Sequence, residues 1–501
     1  MPKHLVLEAA LIGCIVSFII CLSVPVASAQ PLFKISTIES GDVRGQTIVA
    51  THLVDARKAS LILLTVDADD ERKISVFELG NGLYERQPNI DSDIGNDIIL
   101  VDEGRLGDRD ILVLFSRNRV WQYDPYTGKR KQLVRVSSIY GSTIFGHIPR
   151  MDLFKDLNGD GLDDLLIPTF TGFTVYIQNA AGEFSTPLDI EAPPLVEMSY
   201  NNFPWYQPKI CFLADMTLDG RNDLTFWVDN AFSVYKQNTN GQFSARPLRY
   251  KPSVQFQYDG MEGMSVAMRD EDQSDNFGKA LFQLADFDGD GISDLVTLSV
   301  KSKGVFKKQT TYEFHKGIAG DGQVEFSPIP VSRIESKGIQ FEMKERDFNN
   351  DGQTDMVISA VELGIGKVLG ALITGSIDID LNFYQMKDGK YPEKPDLKRE
   401  ITATFSWSSG DVFIPSVIIA DVDGDTFDDL LVQDGEDKLK IYLGGKGDQL
   451  FARRSIDIEV HMPNDPDLID LVDLNSDGKQ DIIMRHQTSG EPRKVVVMVS
   501  Q

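Results

Sequence analysis

A nine-residue pattern constrains this chain more than any other feature. In Asp286-Phe287-Asp288-Gly289-Asp290-Gly291-Ile292-Ser293-Asp294, oxygen side chains fall at positions one, three, five and nine, with glycine at six. Alternate residues of a tight loop can aim their oxygens at a common centre, glycine permits the sharp turn, and position seven offers a carbonyl. Four carboxylates this close repel one another unless a cation lies between them. Hard oxygen ligands converging in this way suit Ca²⁺. One such stretch also reads as an Asp/Gly-rich surface turn, but a recurring one does not.

The pattern recurs through Asp156, Asn158, Asp160 and Asp164, through Asp347, Asn349, Asp351 and Asp355, and through Asp473, Asn475, Asp477 and Asp481. Asp421, Asp423, Asp425 and Asp429 keep the ligands but place Thr426 where glycine is expected. Asp215, Asp219 and Asp223 form a weak metal copy, because Thr217 replaces the third ligand. Asp102 with Asp110, and Asp55 alone, keep the framework without the ligands. The expectation is about five calcium sites, one weak copy and two metal-free ones. An EF-hand would need a bidentate Glu at position twelve between helices. Position twelve is Ile167, Thr297, Ile358, Val432 or Met484, inside apolar runs that read as strands. These are strand–loop–strand sites.

The loop anchors, from Asp55 to Asp473, stand 47 to 74 residues apart. A second feature keeps step with them: a further strand, then a turn ending in an aromatic or apolar residue. Examples are Gly182-Glu183-Phe184, Gly241-Gln242-Phe243, Gly389-Lys390-Tyr391, Leu450-Phe451 and, in the first copy, Gly82-Leu83-Tyr84. Each repeat therefore predicts a four-stranded antiparallel unit of the size of a β-propeller blade. The last repeat stops at Val495–Val499, its third strand, and Pro31–Ile38 looks like a fourth strand without a blade. Pairing them would close the ring and leave no long unpaired edge. The predicted fold is all-β, a single propeller of eight blades over residues 30–501. The alternative is seven blades, if the first copy is an irregular extension.

Phe277-Gly278-Lys279-Ala280 and Phe145-Gly146, each followed by a loop, resemble FG-GAP repeats, the calcium-bearing blades of integrin-α propellers and of bacterial FG-GAP-like or VCBS-type proteins. The Gly-Ala-Pro half is absent, with Ile167-Pro168-Thr169 and Thr297-Leu298-Ser299 near its place, which favours the bacterial branch. The resemblance implies calcium between strands one and two, on one face of the disc. It implies ligands on the opposite face, built by inter-blade links and the turns between strands two and three. Tyr200, Trp205, Tyr206, Tyr258 and Trp407 fall in such links and are the candidate ligand-binding residues, against a protein or a glycan.

Residues 1–29 read as a secretory signal peptide, with Lys3, an apolar run from Leu5 to Val26 and Ala27-Ser28-Ala29 before the cut. Cys211 is the only cysteine beyond it, so an intramolecular disulfide is excluded. The expectation is an exported bacterial protein, periplasmic, cell-surface or extracellular, with no membrane span after cleavage. A formal charge of −26 argues against nucleic acid as partner. The histidines show no metal-ligand spacing and there is no nucleophile elbow, so no catalytic residue is assigned. The favoured function is a secreted calcium-binding scaffold or binding module. The alternative is a carbohydrate-active enzyme, a polysaccharide lyase or hydrolase, on the same ring.

Overall fold

Strand after strand in this chain pairs antiparallel with its sequence neighbour, and the pairings group into eight four-stranded units. The computed structural model describes residues 32–501, except 42, 142–145, 199–203, 262, 266–274, 305–306, 363–369, 372, 406–411, 446–448 and 488–492. The leader at 1–29 and Phe145 lie outside the described residues. Blades one to seven cover residues 45–93, 98–135, 154–191, 211–250, 276–337, 339–405 and 417–459. Blade six carries a short fifth strand, Val412–Phe413. Blade eight takes Ile469–Val472, Asp481–His486 and Lys494–Ser500 from the C-terminal end. Its fourth strand is Phe33–Glu39, paired from Phe33↔Ser500 to Glu39↔Lys494. The molecule is thus an eight-bladed β-propeller closed by its N-terminal strand. Among the described residues, no helix is long and apolar enough to cross a membrane.

Position in the blade follows from side-chain character. Second strands are apolar on both faces, as in Asp223–Val228, where every residue is buried. Such strands have a blade on either side. Fourth strands are polar and largely exposed, as in Lys129–Arg135 and Ile456–Glu459, and form the rim. First strands of successive blades approach one another, which places them at the centre of the ring. Tight turns use the residues that tolerate left-handed backbone: Asn81 and Gly82, at φ 55° and 79°, join Arg72–Gly80 to Leu83–Asp93.

The described core consists of eight buried clusters, and each is shared by two adjacent blades. Their composition repeats. The second residue of a nine-residue loop packs into the cluster with the following blade, where it meets the aromatic from that blade's last turn. Leu157 meets Phe243, Phe287 meets Tyr391, and Leu474 meets Tyr84 across the junction of blades eight and one. Phe348 and Phe451 lie with ring centroids 6.3 Å apart. Between blades seven and eight the last turn is missing, and Phe33 of the closing strand joins Val422 instead.

Phe33 is 5% exposed. Phe33→Ala should therefore lower unfolding free energy by about 3–5 kcal/mol, read as a shifted urea midpoint. Deleting Phe33–Glu39 leaves Lys494–Ser500 as a bare edge, and that variant should self-associate in size-exclusion chromatography.

Candidate functional site

Each loop is built by its own aspartates capping its own backbone. Asp286 accepts from the amides of Gly289, Asp290 and Gly291 at 2.9, 3.2 and 2.8 Å. Asp288 accepts from the amide of Asp290, and Asp290 from that of Ile292. The set recurs with small differences around Asp156, Asp347, Asp421 and Asp473. These bonds fix the tight turn from which the third and fifth side chains project.

The ninth aspartate opens the second strand and is the buried pivot. Asp164, Asp223, Asp355, Asp429 and Asp481 are fully buried, and Asp294 nearly so. In five of them one oxygen accepts from the amide of loop position two, as in Leu157 to Asp164 at 3.2 Å and Leu474 to Asp481 at 2.8 Å. In Asp223 it accepts from Thr217 at position three, at 3.1 Å. The other accepts from the residue just past the third strand, such as Gln178, Gln237, Gly317, Met386 or Gly444, or from Ser500 at its end. Desolvation pushes the carboxyls of Asp164, Asp355 and Asp429 up to about 7, and those of Asp294 and Asp481 up to about 6. A nearby positive ion would relieve that cost.

The loops are also stitched to one another. The carbonyl of Phe287 accepts from Thr354 of the next loop at 2.8 Å, that of Phe348 from Asp428, and that of Leu474 from Ala59 of blade one. The Gly389 turn of blade six lies against loop five, where an added Cβ would meet Asp288 Oδ2 at 2.9 Å. Its φ of 70° is left-handed as well, so only glycine suits both demands.

Carboxylate oxygens of Asp286, Asp288 and Asp294 lie within 4.8 Å of one another, as do those of Asp421, Asp423 and Asp429. In the loops at Asp156, Asp347 and Asp473, the third residue is Asn. Its amide donates to the fifth carboxylate, from Asn158 to Asp160 at 3.2 Å, Asn349 to Asp351 at 3.0 Å and Asn475 to Asp477 at 3.0 Å. The donor set is all oxygen, with neither thiolate nor imidazole, and fits a hard cation.

The remaining copies differ for visible reasons. Asp55 sits at a two-residue hairpin, paired with Lys58. Asp102 lies mid-strand, paired with Val113, and the hairpin of its blade comes later, between Leu106 and Arg109. Its buried carboxylate instead accepts from Leu153 and Phe154 of the next blade, at 2.8 and 2.9 Å. Desolvation pushes it up to about 8. In the weak copy, Arg221 and Lys236 both pair with Asp219. In blade five, Lys316 pairs with Asp288 and Asp290. Sequence reading did not single out these bases, which lie at different distances from the aspartates that they meet.

On the other face, the link between blades three and four folds into its own hairpin, Leu195–Met198 with Pro204–Gln207. Tyr206 meets Phe170 of the turn between strands two and three edge to face, with centroids 4.9 Å apart. Phe170, Val196 and Met198 are each more than half exposed and, with Tyr206 opposite Val196, make one apolar patch. Half-exposed Trp205, paired with Glu197, lies on the other side of the hairpin. Phe170 was not among the sequence candidates; its signal was an aromatic at a turn tip. Tyr258 packs against the cluster between blades five and six. Tyr200 and Trp407 lie outside the described residues.

Thr426 holds φ at 75°, where the other loops place glycine, for example Gly291 at 84°. Left-handed backbone in a β-branched residue costs on the order of 1–3 kcal/mol, and glycine returns part of the gain through unfolded-state entropy. Thr426→Gly should therefore raise stability by about 1 kcal/mol in urea denaturation.

No family model and no curated protein matches the chain. Solved structures with a similar fold include the biofilm matrix protein Bap1 of V. cholerae, at 12% identity and TM-score 0.39, covering 94% of this chain and 91% of that one. Another is the WD40 domain of SCAP from fission yeast, at 10% identity and TM-score 0.38, covering 93% and 98%. Likenesses at this level carry no argument about what this chain does.

Proposed function

We propose that this chain is an exported calcium-stabilised propeller of FG-GAP/VCBS type, acting as a binding module. Its ions would sit in the five loops at Asp156, Asp286, Asp347, Asp421 and Asp473. Its ligand, a glycan or a protein surface, would meet the patch at Phe170, Val196, Met198 and Tyr206. The observation that carries the reading is the convergence of carboxylates around a buried ninth aspartate in the loops at Asp286 and Asp421, which already cap their own backbone. Each loop offers oxygens at positions one, three, five and nine and a carbonyl at seven, a donor set suited to Ca²⁺. Metal that binds only the folded ring adds directly to its stability.

Chelation should lower the melting temperature, and added Ca²⁺ should restore it. In calorimetric titration of the stripped protein, Asp290→Ala should lose one equivalent of bound Ca²⁺. A melting curve indifferent to chelator would reject the metal reading.

In native gels containing polysaccharide, the wild-type protein should be retarded, and Phe170→Ala should lose about 2 kcal/mol of affinity. The same variant should keep its melting temperature and its calcium stoichiometry, because Phe170 is more than half exposed.

A further inference from the structure

The loops differ in their resident positive charge. At Asp156, Asp347 and Asp473, three carboxylates share the turn with an asparagine, and no basic side chain pairs with the ligand set among the described residues. Loop five has four carboxylates, and Lys316 lies on two of them. Its Nζ stands 2.9 Å from Asp290 Oδ2 and closer still to Asp288, whose side chain is 6% exposed. Hydrogen bonding to Asp288 holds the Lys316 ammonium well above its usual range. Loop four has three carboxylates and two bases. Lys236 Nζ stands 2.9 Å from Asp219 Oδ2, and Arg221 donates to the same oxygen.

Lys236 and Lys316 hold the same place in their blades. Each immediately precedes the residue whose amide donates to the ninth aspartate, Gln237 to Asp223 and Gly317 to Asp294. Each therefore leaves the end of strand three directly over the fifth carboxylate. In the other metal-type blades that place is taken by Ile177, Gln385, Leu443 and Val499, none of them basic.

We propose that basic side chains built onto the loops decide which of them take up metal. Arg221 and Lys236 stand in for the ion in blade four, and Lys316 competes for it in blade five. The inference rests on the reading of the loops as calcium sites. The charges explain the order. With three carboxylates and two cations, loop four offers an incoming Ca²⁺ a net charge of only −1 and lacks its third ligand at Thr217. Loop five must either surrender Lys316 or share Asp288 and Asp290 with it, which weakens that one site. The exchange also has a structural sense: the same lysines keep these loops folded when no metal is bound.

Calorimetric titration of the whole, chelator-stripped protein with Ca²⁺ tests this. Wild type should show five equivalents, one weaker than the rest. Lys316→Met should tighten the weak site on the order of tenfold or more, from loss of one positive charge a few ångströms from the ion. The same variant should melt lower than wild type in chelator and gain more on adding Ca²⁺. Thr217→Asp with Arg221→Leu and Lys236→Met should add a sixth equivalent, with far-UV dichroism confirming that it folds. A Lys316→Met protein that binds calcium like wild type overturns the inference, whatever the triple variant does. A wild-type protein that binds no calcium overturns the underlying reading instead. A lysine kept for folding alone would lower melting in chelator without changing affinity.

Discussion

A carboxylate removed from water holds each blade with a nine-residue loop together. The ninth aspartate accepts one amide from the loop and another from the end of the third strand, so three consecutive strands hang on one side chain. Burying a charge there without partners would cost several kcal/mol, and losing the carboxylate would strand two buried amides at about 1–3 kcal/mol each. On the proposed calcium reading the same group would also serve the ion, so that blade architecture and metal geometry would be two uses of a single residue. The architectural use alone accounts for Asp223 in blade four, where it accepts from Thr217 and Gln237 although loop position three offers no carboxylate.

Between blades, the structure reuses a second device. The residue after the first loop aspartate plugs the next interface and offers its carbonyl across it, and the incoming turn answers with an aromatic. Because this joint recurs in most of the blades that carry a nine-residue loop, the ring tolerates blades of very different length. Blade five adds the hairpin of Gly317–Ala319 and Val324–Phe326, and Phe326 still reaches the cluster with blade four. Insertions are free to grow away from the joint, and the pair Leu195–Met198 with Pro204–Gln207 is the clearest case.

Much of this was legible in the sequence because it is local. The nine-residue pattern, the turn with its aromatic and the orphan strand at Pro31–Ile38 all lie within short windows, and they gave eight blades and the closure. What stayed hidden depends on distance. Lys316 lies 22 residues beyond Asp294, and Lys236 only 13 beyond Asp223, because the intervening strands differ in length. Asp102 looked like a loop anchor by spacing, yet its partners Leu153 and Phe154 come from another blade. Tyr258 and Trp205 look alike as link aromatics, and only the surrounding packing separates them.

The closing pair, Phe33 with Ser500, gives the molecule a seam. During synthesis the strand that forms it emerges first and finds its partner last, so a nearly complete stack of blades precedes the final register. Contacts so remote in sequence form slowly, and this seam, with Gln501 donating to the carbonyl of Leu32 beside it, spans the whole described chain. Once shut, the wheel has no loose end in its sheets, and peeling that one strand is the natural first step of its disassembly. Kinetic lifetime is therefore concentrated at a single joint, while equilibrium strength is spread around the whole circumference.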